Sequence, residues 1–335
     1  MACLTYILED LDYYCTAHQT FLRYAKKCGP VGNWSEEAFK EEVVQRLSDM
    51  ITPKEPLRVL SIGSGAARVE ICNVFMAKCK KSIRGDVDCK MLSKLLPYFP
   101  EIHNTILEPS KSQLKLFKER VKEHEGDLPH VTFTWRNDTI DNFVEELDSD
   151  DMGGSDEGFH LIHLVHSIYY TDDLSRTLRV LYHALKEGGT LFIAVLPDDC
   201  IWYKLADIQI KHGAFRPIPL THGDVLTSLK QLRLPYTIKR GTWHVPSSQC
   251  FDENSKDGRH LLDFFTHTKN FRGTASRDVL EEVLTYLESS STTQADGETM
   301  TFREWVHITV VKEENHKYID DSNKSNDYND NDNSM

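Results

Sequence analysis

The chain lacks any run of about 18 apolar residues, so no segment reads as a membrane-spanning helix. It also lacks a basic stretch near its start. MACLTYILEDLDYY carries acids early, which predicts no signal peptide and a cytoplasmic protein. Cysteine is sparse: eight in 335 residues, with no CxxC pair and no zinc-type spacing. That excludes a disulfide scaffold and predicts reduced thiols and no metal centre. Positive charge is short as well, with 39 Lys and Arg against 52 Asp and Glu, a net −13. A dedicated nucleic-acid binder shows the opposite balance. Glu313 to Met335 supply −5 of that charge, so the body is only mildly acidic. Internal repeats are absent.

What is present is a sizeable apolar share, 40%, enough for a large core. Residues 1–55 read as helical. Tyr13, Thr16, Thr20, Phe21 and Tyr24 recur at helical spacing, and Trp34 to Met50 form a second amphipathic segment. From Leu57 the pattern changes. Leu57-Arg-Val-Leu-Ser-Ile62 is a buried-strand run that ends in Gly63-Ser64-Gly65 and opens into a helical period over Ala66 to Met76. Further strands are expected at His103–Glu108, Val131–Trp135, Phe159–Val165 and Thr190–Leu196. Helices are expected at Lys111–His124 and Asp173–Leu185, the latter closed by Gly188-Gly189. Such alternation predicts a parallel α/β sheet. Later segments predict helices near Asp224–Leu234, Arg259–Thr266 and Arg277–Glu288, and strands at Tyr236–Lys239 and Trp305–Val311. Lys78 to Asp88 read as an insertion and Asp148 to Glu157 as a polar loop. The tail from about Asn315 reads as disordered.

The strongest local signal is the glycine turn after the first strand, which lets backbone approach a nucleotide-like ligand. Glu108 is the next acid at a strand end, 45 residues beyond Gly63, where about 20 is usual for a dinucleotide fold. It would accept both ribose hydroxyls; otherwise it is a helix-start carboxylate beside Pro109. Two cofactors suit such a turn. A dinucleotide would place its pyrophosphate on the helix N-terminus, as in an NAD-dependent oxidoreductase. S-adenosylmethionine needs only a ribose clamp, an adenine slot and a carboxylate site. Trp135-Arg-Asn-Asp-Thr139-Ile140 makes a plausible adenine wall, and Val165-His166-Ser-Ile-Tyr169-Tyr170 lies where a methyl group would be presented. The late strand after a five-strand α/β run suits the methyltransferase sheet better.

LSIGSGAARVE, ILEPSKSQ, LIHLVHSIYYTDD, IWYKL and LLDFFTHTKNF, in that order over roughly residues 12–312, together resemble the histamine N-methyltransferase family. The resemblance implies a Rossmann-like, seven-stranded sheet of the S-adenosyl-L-methionine-dependent methyltransferases with a smaller substrate-binding part, in a monomer. It divides the chain into a helical cap (1–55), a cofactor-binding core (56–200), substrate-binding insertions with C-terminal strands (201–312) and an acidic tail (313–335). It implies cofactor contacts at Gly63, Ser64, Gly65, Glu108, Gln113, Thr139, Ile140 and Val165. On the acceptor side the chain departs from the family. Lys27 stands where the family has a glutamate, His166 where it has a glutamine, and Glu304 where it has an asparagine. Tyr169, Tyr170 and Trp202 remain to wall an amine by packing and cation–π contact. In an extended segment the two adjacent tyrosines would point to opposite sides.

The expected reaction is methyl transfer to a neutral nitrogen of a small amine or imidazole, with His166 as the titratable group for the released proton. Lys27 in the pocket would suit an acceptor carrying a carboxylate. A non-catalytic binding protein of the same fold is the competing expectation.

Overall fold

The computed structural model describes residues 4–25, 38–51, 55–63, 86–123, 125–149, 158–214 and 220–313. Its centre is a sheet. Leu57–Ile62 (β1), Ile102–Leu107 (β2), Val131–Arg136 (β3), Phe159–Val165 (β4) and Leu185–Val195 (β5) run parallel. Thr299–Val311 (β8) runs antiparallel to β5, Tyr236–Pro246 (β6) pairs antiparallel with β8 at the edge, and the short Ser291–Thr293 (β7) also pairs with β8. The strand order is β3-β2-β1-β4-β5-β8-β6. This is the Rossmann-like arrangement that the resemblance implies, with an antiparallel strand inserted between β5 and the edge strand β6.

The central strands are apolar on both faces because both faces are covered. β4 is buried along all but its last residue. On one face pack Ile140–Ser149 (α5), Leu174–His183 (α6) and His222–Gln231 (α8), around Leu60, Ile162, Leu191 and Ile308. On the other lie Gln45–Met50 (α2, continuing a π-helical turn at Lys40–Val44), Asp86–Leu95 (α3) and Lys111–Glu123 (α4), around Val59, Ile106, Leu161 and Phe192. A third core joins Leu11–Ala25 (α1) to Ile201–Lys211 (α7), Lys256–Thr266 (α9), Phe271–Thr274 (α10) and Arg277–Ser289 (α11). The N-terminal helix thus packs on C-terminal ones. No described helix is long and apolar enough to cross a membrane.

Several elements differ from the sequence pattern. Gly188-Gly189 do not form a turn outside the sheet. β5 runs through them because the Gly188 N–H donates to Lys312 O and the Lys312 N–H to Gly189 O, at 2.8 and 3.0 Å. α6 ends at His183 accordingly. Of the expected insertion, Asp86 to Asp88 form the start of α3, and Asp88 is buried. β6 and β8 are 11 and 13 residues long, well beyond their apolar stretches, because each satisfies the other's backbone. In that pairing Gly241 faces Trp305, and a Cβ at 241 would stand 1.8 Å from the indole. The Ala66 to Met76 helix, residues 78–85, Trp34 and the tail beyond Glu313 lie outside the described residues.

Candidate functional site at the C-terminal edge of the sheet

Four adjacent parallel strands, β2, β1, β4 and β5, end along one edge, which is where open α/β sheets bind ligands. Gly63 follows β1 with φ +70°, a conformation glycine adopts without steric cost, and its N–H donates to Leu107 O at 2.9 Å. Ser64 and Gly65 lie outside the described residues. Glu108 follows β2. Its side chain is buried (1% exposed), its N–H donates to Arg136 O at 3.0 Å, and its Oε1 accepts the Ser110 N–H at 2.8 Å. Asn137 braces this turn from the next loop, its Nδ2 donating to the carbonyls of Glu108 and Pro109.

Gln113, in the first turn of α4, is 2% exposed, and both of its amide atoms are without a hydrogen-bond partner among the described residues. A buried amide left unsatisfied costs about 1–3 kcal/mol, so the position calls for a polar group to complete it. Thr139 caps α5, its Oγ1 accepting the Asn142 N–H at 3.2 Å. Ile140 opens that helix with its side chain in the core.

Below the edge, a polar cluster links four elements, β1, β2, β4 and α3. Ser61 Oγ donates to Asn104 Oδ1 at 2.9 Å and lies 2.7 Å from His163 Nε2, which stands 3.6 Å from Asp88 Oδ1 on α3. Burial holds the His163 imidazole down to about 3, so it is neutral.

At β4, half-buried Val165 is the last strand residue, and His166 turns out of the sheet at φ +54°, exposed. Its N–H donates to Ala194 O at 2.9 Å. Ser167 Oγ donates to Ile62 O at 2.7 Å, tying this turn to the end of β1. His166 Nδ1 lies 3.1 Å from Tyr169 Oη, with the rings 13° from parallel. Tyr169 Oη also accepts the Leu196 N–H at 2.9 Å, and burial pushes its phenol well above the ordinary range. The expectation that Tyr169 and Tyr170 diverge fails. Ile168–Tyr170 is a 3₁₀ turn, not extended, and the two rings meet nearly perpendicular at 6.2 Å.

Trp202 lies in the first turn of α7, just past β5. Cys200, the N-cap residue of α7, lies near both Tyr169 and Tyr286, and Glu304 also lies near Tyr286. Glu304 is half-buried and in register with Thr242, beyond the end of β5. Lys27 lies outside the described residues. The edge therefore gathers Gly63, Glu108, Gln113, Val165, His166 and Tyr169, with Trp202 and Glu304 on the flanking elements.

The profile of the family described as "Methyltransferase domain" matches residues 34–234. The chain belongs to this methyltransferase family. It is 26% identical to histamine N-methyltransferase B of Xenopus laevis over 318 residues, 91% of this chain and 97% of that one. It is 27% identical to histamine N-methyltransferase A of the same organism, covering 80% of this chain and 89% of that one. It is also 27% identical to carnosine N-methyltransferase 2 of Gallus gallus, covering 84% of this chain and 81% of that one.

The chain is thus a methyltransferase that uses S-adenosyl-L-methionine, similar in sequence to enzymes named for histamine and carnosine methylation. The residues present suit that cofactor. The buried Glu108 carboxylate at a strand end is an acceptor for hydroxyls, Gln113 supplies an amide awaiting a partner, and Gly63 allows close backbone approach.

The sequence pattern missed Asn137, whose bracing role depends on two loops meeting, and buried His307, which faces Trp305 and Phe192 with ring centroids 4.1 and 4.8 Å apart. It also missed Tyr14 and His18 on α1 and Phe264 and His267 at α9, although their spacings, i to i+4 and i to i+3, place each pair on one helix face.

Proposed function

We propose that the protein methylates a nitrogen of a small-molecule amine or imidazole. The supporting observation is the placement of His166 and Tyr169 at the end of β4, one strand from Gly63 and two from Glu108 on the same edge. The relatives named for histamine and carnosine methylation support the same class of acceptor.

S-adenosyl-L-methionine supplies, when bound, a methyl group on a positively charged sulfur. Glu108 and Gln113 would hold its polar parts, the glycine turn at Gly63, Ser64 and Gly65 would allow close backbone approach, and Thr139, Ile140 and Val165 would lie beside it. The acceptor nitrogen must arrive neutral, because a protonated amine has no lone pair to form the new N–C bond. Tyr169, Tyr170 and Trp202 hold the acceptor's apolar body and keep water out. Tyr169 remains a neutral phenol, and Leu196 pins its oxygen. With Nδ1–H donating to that oxygen, His166 takes at Nε2 the proton the acceptor nitrogen loses. Glu304, and Lys27 from the N-terminal region, set which polar groups an acceptor can carry.

The test is methyl transfer from labelled S-adenosyl-L-methionine to histamine and a panel of small amines and amino acids. Transfer to a panel member is expected. S-adenosylhomocysteine bound with no transfer to any member would replace this reading with that of a non-catalytic binding protein.

A further inference from the structure

Trp202 packs into a group of rings that the sequence pattern did not place together. Its indole meets Phe264 at 6.0 Å and His267 at 5.6 Å, edge-on to both. Phe264 is buried, and His18 and Tyr14 lie against its ring at 5.3 and 5.8 Å. His267 completes the circle, 5.9 Å from Phe264, in a left-handed turn at φ +49° that ends α9. Half-buried Tyr14, His18, Trp202 and His267, from α1, α7 and the end of α9, therefore surround one buried phenyl ring.

The composition of this ring cluster is informative. A box of carbon rings selects a guest by size and by cation–π attraction. Here two of the four half-buried rings are imidazoles. An imidazole always carries at least one N–H donor, and protonation adds a second donor and a charge. Both properties suit a carboxylate, whereas an ammonium group is offered only the one acceptor nitrogen of the neutral ring, which protonation removes. Two acids of the flanking segments are committed elsewhere. Asp263 accepts the Tyr13 hydroxyl and the N–H groups of Asn270 and Phe271, and Asp10 pairs with Lys269. Glu304 lies beyond the end of β5, near Tyr286, where an acid suits the nitrogen-bearing end of a guest.

We infer that the acceptor carries a carboxylate in addition to the nitrogen that is methylated, and that His18 and His267 are the specificity residues that hold it beside Trp202. The inference rests on the small-molecule reading above and narrows it to amino-acid-like or peptide-like imidazoles and amines.

The experiment measures methyl transfer by the full chain to histamine, which has no carboxylate, and to histidine and carnosine, which each have one. For at least one of the carboxylates, kcat/KM should exceed that for histamine about tenfold or more, the size of a charge-assisted hydrogen bond. The double variant His18→Phe/His267→Phe keeps both rings and the packing on Phe264. It should remove that preference, mainly through KM, with S-adenosylhomocysteine affinity unchanged. A wild-type preference for histamine, or a carboxylate preference that survives in the double variant, overturns the inference and leaves small-molecule methylation standing. Transfer to none of the three overturns the broader reading for these acceptors. Equilibrium binding of the same compounds to the S-adenosylhomocysteine-loaded protein then decides the ring cluster. A carboxylate preference lost in the double variant supports it, and no preference overturns it.

Discussion

His166 Nδ1 stands 3.1 Å from Tyr169 Oη, and the same oxygen accepts the Leu196 N–H at 2.9 Å. Because Leu196 follows β5 and His166 follows β4, one phenol hydroxyl fixes the imidazole relative to two neighbouring strand ends. With Nδ1 engaged by the phenol, Nε2 is the ring nitrogen left to take a proton, as the proposed base role needs.

His166→Ala should therefore lower kcat by about a hundredfold, at the lower end of what a positioned base contributes, with S-adenosylhomocysteine affinity unchanged. Tyr169→Phe should give a smaller loss of kcat. It should also lower stability by about 1–3 kcal/mol, because the Leu196 N–H loses its acceptor. Steady-state rates from pH 6 to 9 check both. If His166→Ala turns over normally across that range, His166 has no part in proton transfer.

Glu108 and Gln113 should separate binding from stability. Glu108→Gln removes a charged acceptor from a buried strand end and should weaken S-adenosylhomocysteine binding about 10- to 100-fold. Gln113→Leu replaces a buried amide whose two polar atoms lack partners among the described residues. It should raise the melting temperature of the cofactor-free protein and shrink the increase on adding S-adenosylhomocysteine. Calorimetry and thermal melts read both effects. A Gln113→Leu protein whose ligand-induced shift equals that of the wild type would show that the amide faces something other than the cofactor.

The sheet was legible in the sequence because its parallel strands are short apolar runs buried on two faces, and periodicity records burial. The antiparallel strands were caught only where they are apolar. The residues at positions 240–245 and 299–304 include Gly241, Arg240, Arg303 and Glu304, and their pairing is a property of two backbones meeting rather than of either stretch. Glu108 and His166 were legible because strand ends are marked by the pattern. The 3₁₀ turn at Tyr169 was not, since it depends on Leu196 supplying an N–H from another strand. The rings around Phe264 come from three segments spread between Tyr14 and His267, and no local spacing encodes that meeting.

Gly241→Ala probes that long-range pairing. A methyl at 241 would stand 1.8 Å from the Trp305 ring, within the strand pair that closes the sheet. Neither backbone can withdraw without breaking the β6–β8 ladder, so the indole must leave its position. The expected loss is about 1–3 kcal/mol, the usual range for overpacking. Urea unfolding measures it, and a loss below about 0.5 kcal/mol would mean that Trp305 has another rotamer at little cost.

The last prediction concerns acid. Burial holds His163 and His307 neutral, each down to about 3 from an ordinary value of 6.5. Between these values the unfolded chain binds a proton at each site and the folded chain does not. Folding stability therefore falls as pH drops from 6.5 toward 3, by about 1.4 kcal/mol per pH unit for each histidine. Asp263 acts in the opposite sense. Burial raises its carboxyl from 3.8 to about 6, so between those values the folded chain holds the extra proton and gains stability as pH falls. Two histidines against one acid leave a net loss of about 1.4 kcal/mol per unit over that window. His160 and His183, also lowered by burial, add to the loss. His307→Phe keeps an aromatic ring against Phe192 and Trp305 and removes one titration. Urea unfolding at pH 7.5, 6.5, 5.5 and 4.5 should show a steep acid limb in the wild type, shallower by about 1.4 kcal/mol per unit in the variant. Identical slopes would show that His307 takes up its proton in the folded protein as readily as in the unfolded one.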